Sequence, residues 1–257
     1  MNDIQNITII GSGNIATQVA LALYEKGIAI SQVWSRSLSN ASLLANQVNA
    51  EAINDTLHLT PSDLYIVAIS DDAISDFISA LPLSTPVVHT SGNTALVERN
   101  NREISGVFYP LQTFSKTRKA NWKTIPICLE ANSSVFLKQL TQLAELLSGS
   151  VKEISSAQRK VLHAAAVIAC NFTTHLAAIS EQFLEENQLS LDLIQPLMAQ
   201  TFSNIHEGNV KAIQTGPAVR QDHGTIEAHL QLLTSHPDFQ ALYLALSKHI
   251  IKYHHGQ

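Results

Sequence analysis

Residues 7–16 read Ile7-Thr8-Ile9-Ile10-Gly11-Ser12-Gly13-Asn14-Ile15-Ala16, an apolar run that turns through two glycines into an amphipathic segment. No other stretch constrains the fold as much. The G-x-G-x-x-A spacing fits a strand that turns sharply into a helix. The first glycine makes the tight turn, the second lets backbone approach a pyrophosphate, and Ala16 is small enough for close helix–strand packing. The start of the helix then offers free N–H groups and the positive end of its dipole to phosphate oxygens. Gly11, Ser12, Gly13, Asn14, Ile15 and Ala16 are therefore expected to cradle a dinucleotide. A glycine-rich turn without a ligand is the alternative, and the ordered strand–turn–helix context weighs against it.

The pattern around this turn repeats the alternation. Strands are expected at 7–10, 30–35, 64–69 and 86–89, and helices at 14–26, 38–48 and 74–81. Strands alternating with short helices imply parallel βαβ units, here an α/β, doubly wound parallel sheet of the Rossmann type. Shorter strands are expected at 106–109, 125–129 and 151–154. After Ser155-Ser156 the pattern becomes helical. Residues 157–187 contain neither Gly nor Pro, and Ala164 to Cys170 is apolar all round, the mark of a helix buried on every side. Further helices are expected at 191–202 (kinked by Pro196), 210–213, 225–233 and 238–253. The chain thus divides into a cofactor domain over 1–154 and an all-α domain over 155–257. About 100 helical residues cannot bury that apolar segment alone, so a homodimer through the helical domain is expected.

The second strand sharpens the cofactor. A site for NAD carries an acid at that strand's end, about 20 residues after the glycines. This chain has Val33-Trp34-Ser35-Arg36-Ser37 there. Arg36 can face a 2′-phosphate, with Ser35 and Ser37 donating to it, so NADP is expected; an exposed arginine on a turn is the bland reading. Ser70 and Asp71, at the end of the third predicted strand, are placed along the cofactor, and Asp72 is expected to cap the following helix. The loop His89-Thr90-Ser91-Gly92-Asn93 comes one strand further. Thr90 is placed near the nicotinamide and Ser91 is a candidate for orienting substrate; a polar turn with Gly92 for backbone freedom is the other reading.

Composition narrows the remaining classes. A net charge of −5 argues against a nucleic-acid footprint. The start Met1-Asn2-Asp3-Ile4-Gln5 lacks a basic n-region and is not expected to be a signal peptide, and no apolar run is expected to span a bilayer. Cys128 and Cys170 have no metal-like spacing and are expected as buried thiols. No metal motif is present. These features point to a cytoplasmic protein acting on a small molecule.

Three segments carry a family resemblance: Tyr109-Pro110-Leu111-Gln112-Thr113-Phe114, the helix from His163-Ala164-Ala165-Ala166 through Asn171-Phe172, and Gly216-Pro217-Ala218-Val219-Arg220-Gln221-Asp222. With them, the C-terminal half resembles Rossmann-like proteins that carry the domain of unknown function 2520. The N-terminal half resembles the cofactor domains of pyrroline-5-carboxylate reductase, ketopantoate reductase and deazaflavin-dependent NADP reductase. The resemblance implies a dimeric oxidoreductase fold related to 6-phosphogluconate dehydrogenase, and no particular substrate. One departure matters. The hydroxyacid dehydrogenases of that superfamily place Lys and Asn one helical turn apart at the start of the long helix, whereas here Lys160 is followed by Ala164. His163 and Asn171 are the polar residues of the apolar stretch instead, about 12 Å apart along the axis. His163 is the better candidate for exchanging a proton near neutral pH. Arg220 and Asp222 could grip an anionic substrate, although an ion pair and a helix cap explain them more simply. Two functions follow: an NADPH-dependent reductase of a small carbonyl or imine, or an NADP-binding sensor without hydride transfer.

Overall fold

The computed structural model describes residues 4–81, 86–97 and 104–256. Met1 to Asp3, at the start read above for a signal peptide, lie outside the described residues. The chain forms two compact units, Met1–Ile168 and Ala169–Gln257.

The first unit is built on eight strands: β1 (Asn6–Ile10), β2 (Ala29–Trp34), β3 (Glu51–Ile53), β4 (Leu64–Val67), β5 (Val87–His89), β6 (Ser105–Pro110), β7 (Ile127–Ala131) and β8 (Val151–Glu153). They hydrogen-bond in the order β3-β2-β1-β4-β5-β6-β7-β8. All neighbours are parallel except β6 and β7, which run antiparallel. The order reverses between β1 and β4, the switch point at which such sheets open a crevice beyond their carboxyl ends. The register brings those ends level, with Ile10 opposite both Trp34 and Val67.

Side chains alternate across the pleat, so each strand feeds both faces. Ile7, Ile9, Ile66 and Val88 join α1 (Asn14–Glu25), α2 (Leu38–Ala45) and α4 (Ser134–Glu145) in one core. Ile10, Tyr65, Val67 and Val87 join Ile74 and Ile78 of α3 (Asp71–Ala80) in another. A sheet buried on both faces has near-continuous apolar strands, and that is why the strands were readable. Each fully buried Ile or Val contributes about 1.5–3 kcal/mol of burial.

Several elements differ from expectation. The sequence reading did not include β3 or α4. The Glu-Ala-Ile of β3 is too short to show a period. Phe136, Leu140, Leu143 and Ala144 of α4 do carry helical spacing, with Ser133 as its cap. Ser70, not Asp72, holds the N-cap position of α3, with both Asp71 and Asp72 in its first turn. Residues 210–213 form a turn. Pro196 stands in the first turn of α7 (Gln195–Glu207), where its missing N–H costs nothing, and so starts a helix instead of kinking one.

The change from strand to helix falls between Glu153 and α5 (Ser156–Ala166), which opens with a capping box formed by Ser155 and Gln158. A π-helical turn over Val167–Asn171 follows, then α6 (Phe172–Glu186). The π turn coincides with the division between the two units. The hydroxyls of Thr173 and Thr174 donate back to the carbonyls of Ala169 and Cys170, competing with the regular ladder. By length and composition Ser156–Glu186 could cross a membrane, which corrects the expectation that no segment could; one such helix is weak ground for a span. The expectation of burial is corrected too: Ile168 is 63% and Phe172 55% exposed, and Cys170 is exposed.

In the second unit, α6 and α7 are followed by α8 (His223–Leu232) and α9 (Pro237–His255). As expected, Asp222 caps α8, its carboxylate accepting from the Thr225 N–H at 3.0 Å and hydroxyl at 2.8 Å. No described residue of this unit lies in a strand.

Candidate functional site

At the carboxyl ends of β1, β2, β4, β5 and β6, a cleft of about 1090 Å³ runs across the sheet unit. One end is made by the glycine turn. Gly11 has φ +125°, and a Cβ there would lie 2.2 Å from the Ala68 carbonyl oxygen, so only glycine lets this turn pass β4. Its N–H donates to the Trp34 carbonyl at 2.8 Å, tying the turn to β2. Gly13 has open space on its Cβ side, and no side chain caps α1. The helix start thus presents uncapped N–H groups to the cleft, a cradle that fits a pyrophosphate. Ala16 is fully buried behind it.

Ser12, Ser35, Arg36 and Ser37 form the outer wall. The Ser12 hydroxyl donates to Ser35 Oγ at 2.9 Å, which leaves the Ser35 proton free to donate outward. Ser37 Oγ caps α2 by accepting from the Asn40 N–H. Arg36 is exposed and makes no ion pair among the described residues. Trp34 and Phe77, with ring centroids 4.7 Å apart, line the same end. Both escaped the sequence reading, although an indole at the end of β2, where an acid is usual, was a visible signal.

Ser70, Asp71, Thr90, Ser91, Tyr109 and His163 line the cleft toward β5 and β6. Ser91 Oγ accepts from the N–H groups of Asn93 (3.1 Å) and Thr94 (2.8 Å), so it shapes its own turn. Gly92 is not in the left-handed region. It is glycine because a Cβ would lie 2.6 Å from His163 Nδ1 and 2.9 Å from the Tyr109 ring, which corrects the reading of backbone freedom. Tyr109 Oη and His163 Nδ1 are 3.1 Å apart. Burial pushes the Tyr109 phenol up to about 12. Asn171, the other candidate, is exposed in the π turn and is not among the cleft-lining residues of the sheet unit.

Behind this end lies a network the sequence did not disclose. Arg159, one turn before His163, is 0% exposed. Its guanidinium donates to Glu130 Oε2 (2.6 Å), the Thr94 carbonyl (2.6 Å), the Ser91 carbonyl (3.2 Å) and Ser156 Oγ (3.2 Å). Burial alone would raise the Glu130 carboxyl, but hydrogen bonds from Arg159 and Ser156 outweigh it and hold the group below its ordinary value. His89 is fully buried; its Nδ1 accepts from the Ser91 N–H, so Nε2 carries the proton and donates to the Ala95 carbonyl at 3.0 Å. Burial pushes it down to about 4, so it is neutral at pH 7. On the surface, Lys119 pairs with Glu25 at 2.7 Å.

Comparison with known proteins places this architecture. Residues 125–250 match the domain of unknown function DUF2520, and residues 6–90 match NADP oxidoreductase, coenzyme F420-dependent. No curated protein matches the sequence. A Bacteroides fragilis protein of known structure, named a "putative NADP oxidoreductase", is 40% identical over 97% of this chain and 98% of its own, with a TM-score of 0.90. The chain belongs to that NADP oxidoreductase family. An imine reductase from Myxococcus stipitatus, in complex with NADP+, is 15% identical, covers 98% of this chain and 96% of its own, and has a TM-score of 0.65. A reductive aminase from Aspergillus terreus, in complex with NADPH and ethyl-5-oxohexanoate, is 14% identical, with 96% and 92% covered and a TM-score of 0.67. At such identities the likeness is one of fold. Family membership and the acid-free end of β2 agree on NADP as the cofactor.

Acid stability should report the buried pair of groups beneath the cleft. His89 is neutral when folded and protonates near its ordinary value of 6.5 when unfolded, so stability falls as pH drops from about 6.5 to 4, by up to about 3 kcal/mol. The low Glu130 value adds a loss only below its ordinary 4.5. Thermal melts from pH 7 to 4 should show this slope, and His89→Gln should flatten it; an unchanged slope in that variant would contradict the assignment.

Proposed function

We propose that the protein is an NADPH-dependent reductase of a small carbonyl or imine compound. The observation that carries this reading is the continuity of one cleft. It joins the glycine turn and Arg36 at one end to Thr90, Tyr109 and His163 at the other. Four strand intervals of about 4.8 Å separate the ends of β2 and β6, a span suited to an extended dinucleotide. The sheet domain to residue 154 then holds the cofactor, and the segment from 155 supplies His163. NADPH supplies the hydride when bound. Gly11 to Ala16 hold the pyrophosphate, Arg36 and Ser35 bind the 2′-phosphate, and Thr90 lies beside the reacting end. His163 supplies the proton a reduced carbonyl requires. Arg159 is enclosed and bonded to protein groups, so it does not grip a substrate carboxylate. The Lys–Asn pair of the hydroxyacid dehydrogenases is absent from α5, where Lys160 is followed by Ala164, which argues against alcohol oxidation by that scheme.

The preference for phosphate is measurable first. A charge-assisted hydrogen bond contributes about 1.5–3 kcal/mol, so Arg36→Ala should weaken NADP binding roughly 10- to 150-fold and leave NAD nearly unchanged. Equal affinity of the unmutated protein for the two cofactors, by calorimetry, would contradict the 2′-phosphate role.

Turnover tests the chemistry. A panel of small oxo acids, ketones and cyclic imines, followed by NADPH absorbance, should yield a substrate. With it, His163→Ala should lower turnover at least ~100-fold and leave NADPH affinity nearly intact. Full turnover in that variant would remove His163 from the mechanism. Tight NADPH binding with no oxidation across the panel would favour the sensor reading.

The exposed apolar stretch from Ala164 to Leu176 supports a homodimer formed through the helical segment, since an apolar face of that length is rarely left in water. Light scattering should give the mass of two chains at micromolar concentration; the mass of one chain would contradict this.

A further inference from the structure

We propose that Tyr109 and Gly92 are positioning residues that hold His163 in the neutral tautomer with its proton on Nε2, making Nε2–H the donor presented to substrate. The inference rests on the reading of His163 as proton donor and adds which nitrogen acts and what fixes it.

The argument begins with the 3.1 Å contact between Tyr109 Oη and His163 Nδ1, in which either group could donate. Tyr109 is 7% exposed, and its hydroxyl has no other partner among the described residues. If Nδ1 carried the proton and donated to Oη, the phenolic proton would be left without an acceptor in a nearly buried place, at the cost of an unmade hydrogen bond. If the phenol donates to Nδ1, both groups are satisfied. Burial keeps the phenol protonated far above neutral pH, so it is able to donate throughout the working range. A neutral imidazole that accepts at Nδ1 must carry its proton on Nε2, and Nε2 makes no hydrogen bond with the described residues.

Gly92 supplies the space for this pair. A Cβ at that position would stand 2.6 Å from Nδ1, 2.8 Å from Cγ of the imidazole and 2.9 Å from Cζ of the phenol. Those atoms belong to two rings held against each other, not to a flexible chain end, so a side chain could enter only by parting them. The backbone bearing Gly92 is itself fixed. Arg159 takes the carbonyls on either side, at Ser91 and Thr94, from one turn earlier on the helix that carries His163. The helix that presents the imidazole thus also sets the loop that confines it.

This arrangement gives the proton a defined path. When hydride has added to a carbonyl carbon, the substrate oxygen becomes an alkoxide. The Nε2–H bond breaks as the new O–H bond forms, and the phenolic proton of Tyr109 moves to Nδ1. The products are an alcohol, an Nδ1–H imidazole and a tyrosinate; solvent then returns one proton to Nε2 as the Nδ1 proton goes back to the tyrosinate, which restores the starting tautomer. An alkoxide is a stronger base than a phenolate, so the transfer runs downhill without leaving an imidazolate.

The test needs no substrate. Nitrogen-15 shifts of the histidine rings in the full-length, cofactor-free protein, with His163 assigned by the signal lost in His163→Ala, report the tautomer directly. The expected result is an unprotonated Nδ1 and a protonated Nε2 in the neutral form. Tyr109→Phe should lower the ratio of Nε2–H to Nδ1–H tautomer about 2- to 10-fold, and Gly92→Ala should lower it similarly with NADPH affinity retained. A predominant Nδ1–H form in the unmutated protein overturns the proposal, whether or not the variants fold. An unchanged ratio in Tyr109→Phe does so as well. If the tautomer is as described but His163→Ala keeps full turnover, the reductase role of His163 fails and the positioning stands.

Discussion

The end of the cleft lined by Tyr109 and His163 depends on one ion pair, enclosed on the arginine side. Arg159 of α5 and Glu130 of β7 meet at 2.6 Å, with the guanidinium wholly enclosed. Burying two charges is costly, and only geometry that also satisfies their remaining donors and acceptors makes it tolerable. Here most are met: two loop carbonyls and the Ser156 hydroxyl take three of the other four N–H groups, and Ser156 also donates to Glu130. Removing Glu130 would leave the enclosed guanidinium uncompensated, typically at a cost of about 3–5 kcal/mol. The pair therefore sets the distance between the loop after β5 and the helix that brings in His163.

The cofactor end depends on a different constraint, the approach of backbone to backbone. Gly11 passes the Ala68 carbonyl so closely that no side chain can stand there. This closeness lets β1 turn into α1 directly over the switch point of the sheet. The two ends are joined by strand register alone: parallel pairing with level carboxyl ends brings residues 11, 35, 70, 90 and 109 to one edge. The two ends of the proposed site thus follow from a single topology, in which the sheet holds the spacing.

Much of this was legible in the sequence because its signals are local. The glycine turn, the apolar strands and the missing acid at β2 are each contained in about six residues, and they specified a Rossmann-type domain and its cofactor class. What stayed hidden is long-range. Glu130 and Arg159 are 29 positions apart, Tyr109 and His163 are 54 apart, and no periodicity links them. Gly92 looked like turn chemistry because glycine's usual reason is backbone freedom; its actual reason is the pair of rings across from it. The apolar segment from Ala164 to Cys170 was read as buried because composition alone does not say whether the chain covers it, and Ile168 and Cys170 are exposed. Cys170, exposed in the π turn, went wrong for the same reason.

The central claim is that one cleft binds the dinucleotide and carries out its chemistry at the Tyr109–His163 pair. A crystal structure of the protein with NADPH tests it most directly. The account predicts the pyrophosphate on the N–H groups of the Gly11–Ala16 turn, the 2′-phosphate against Arg36, and the reactive carbon of the nicotinamide facing His163. A nicotinamide lying away from His163, with other side chains around its reactive carbon, would contradict it.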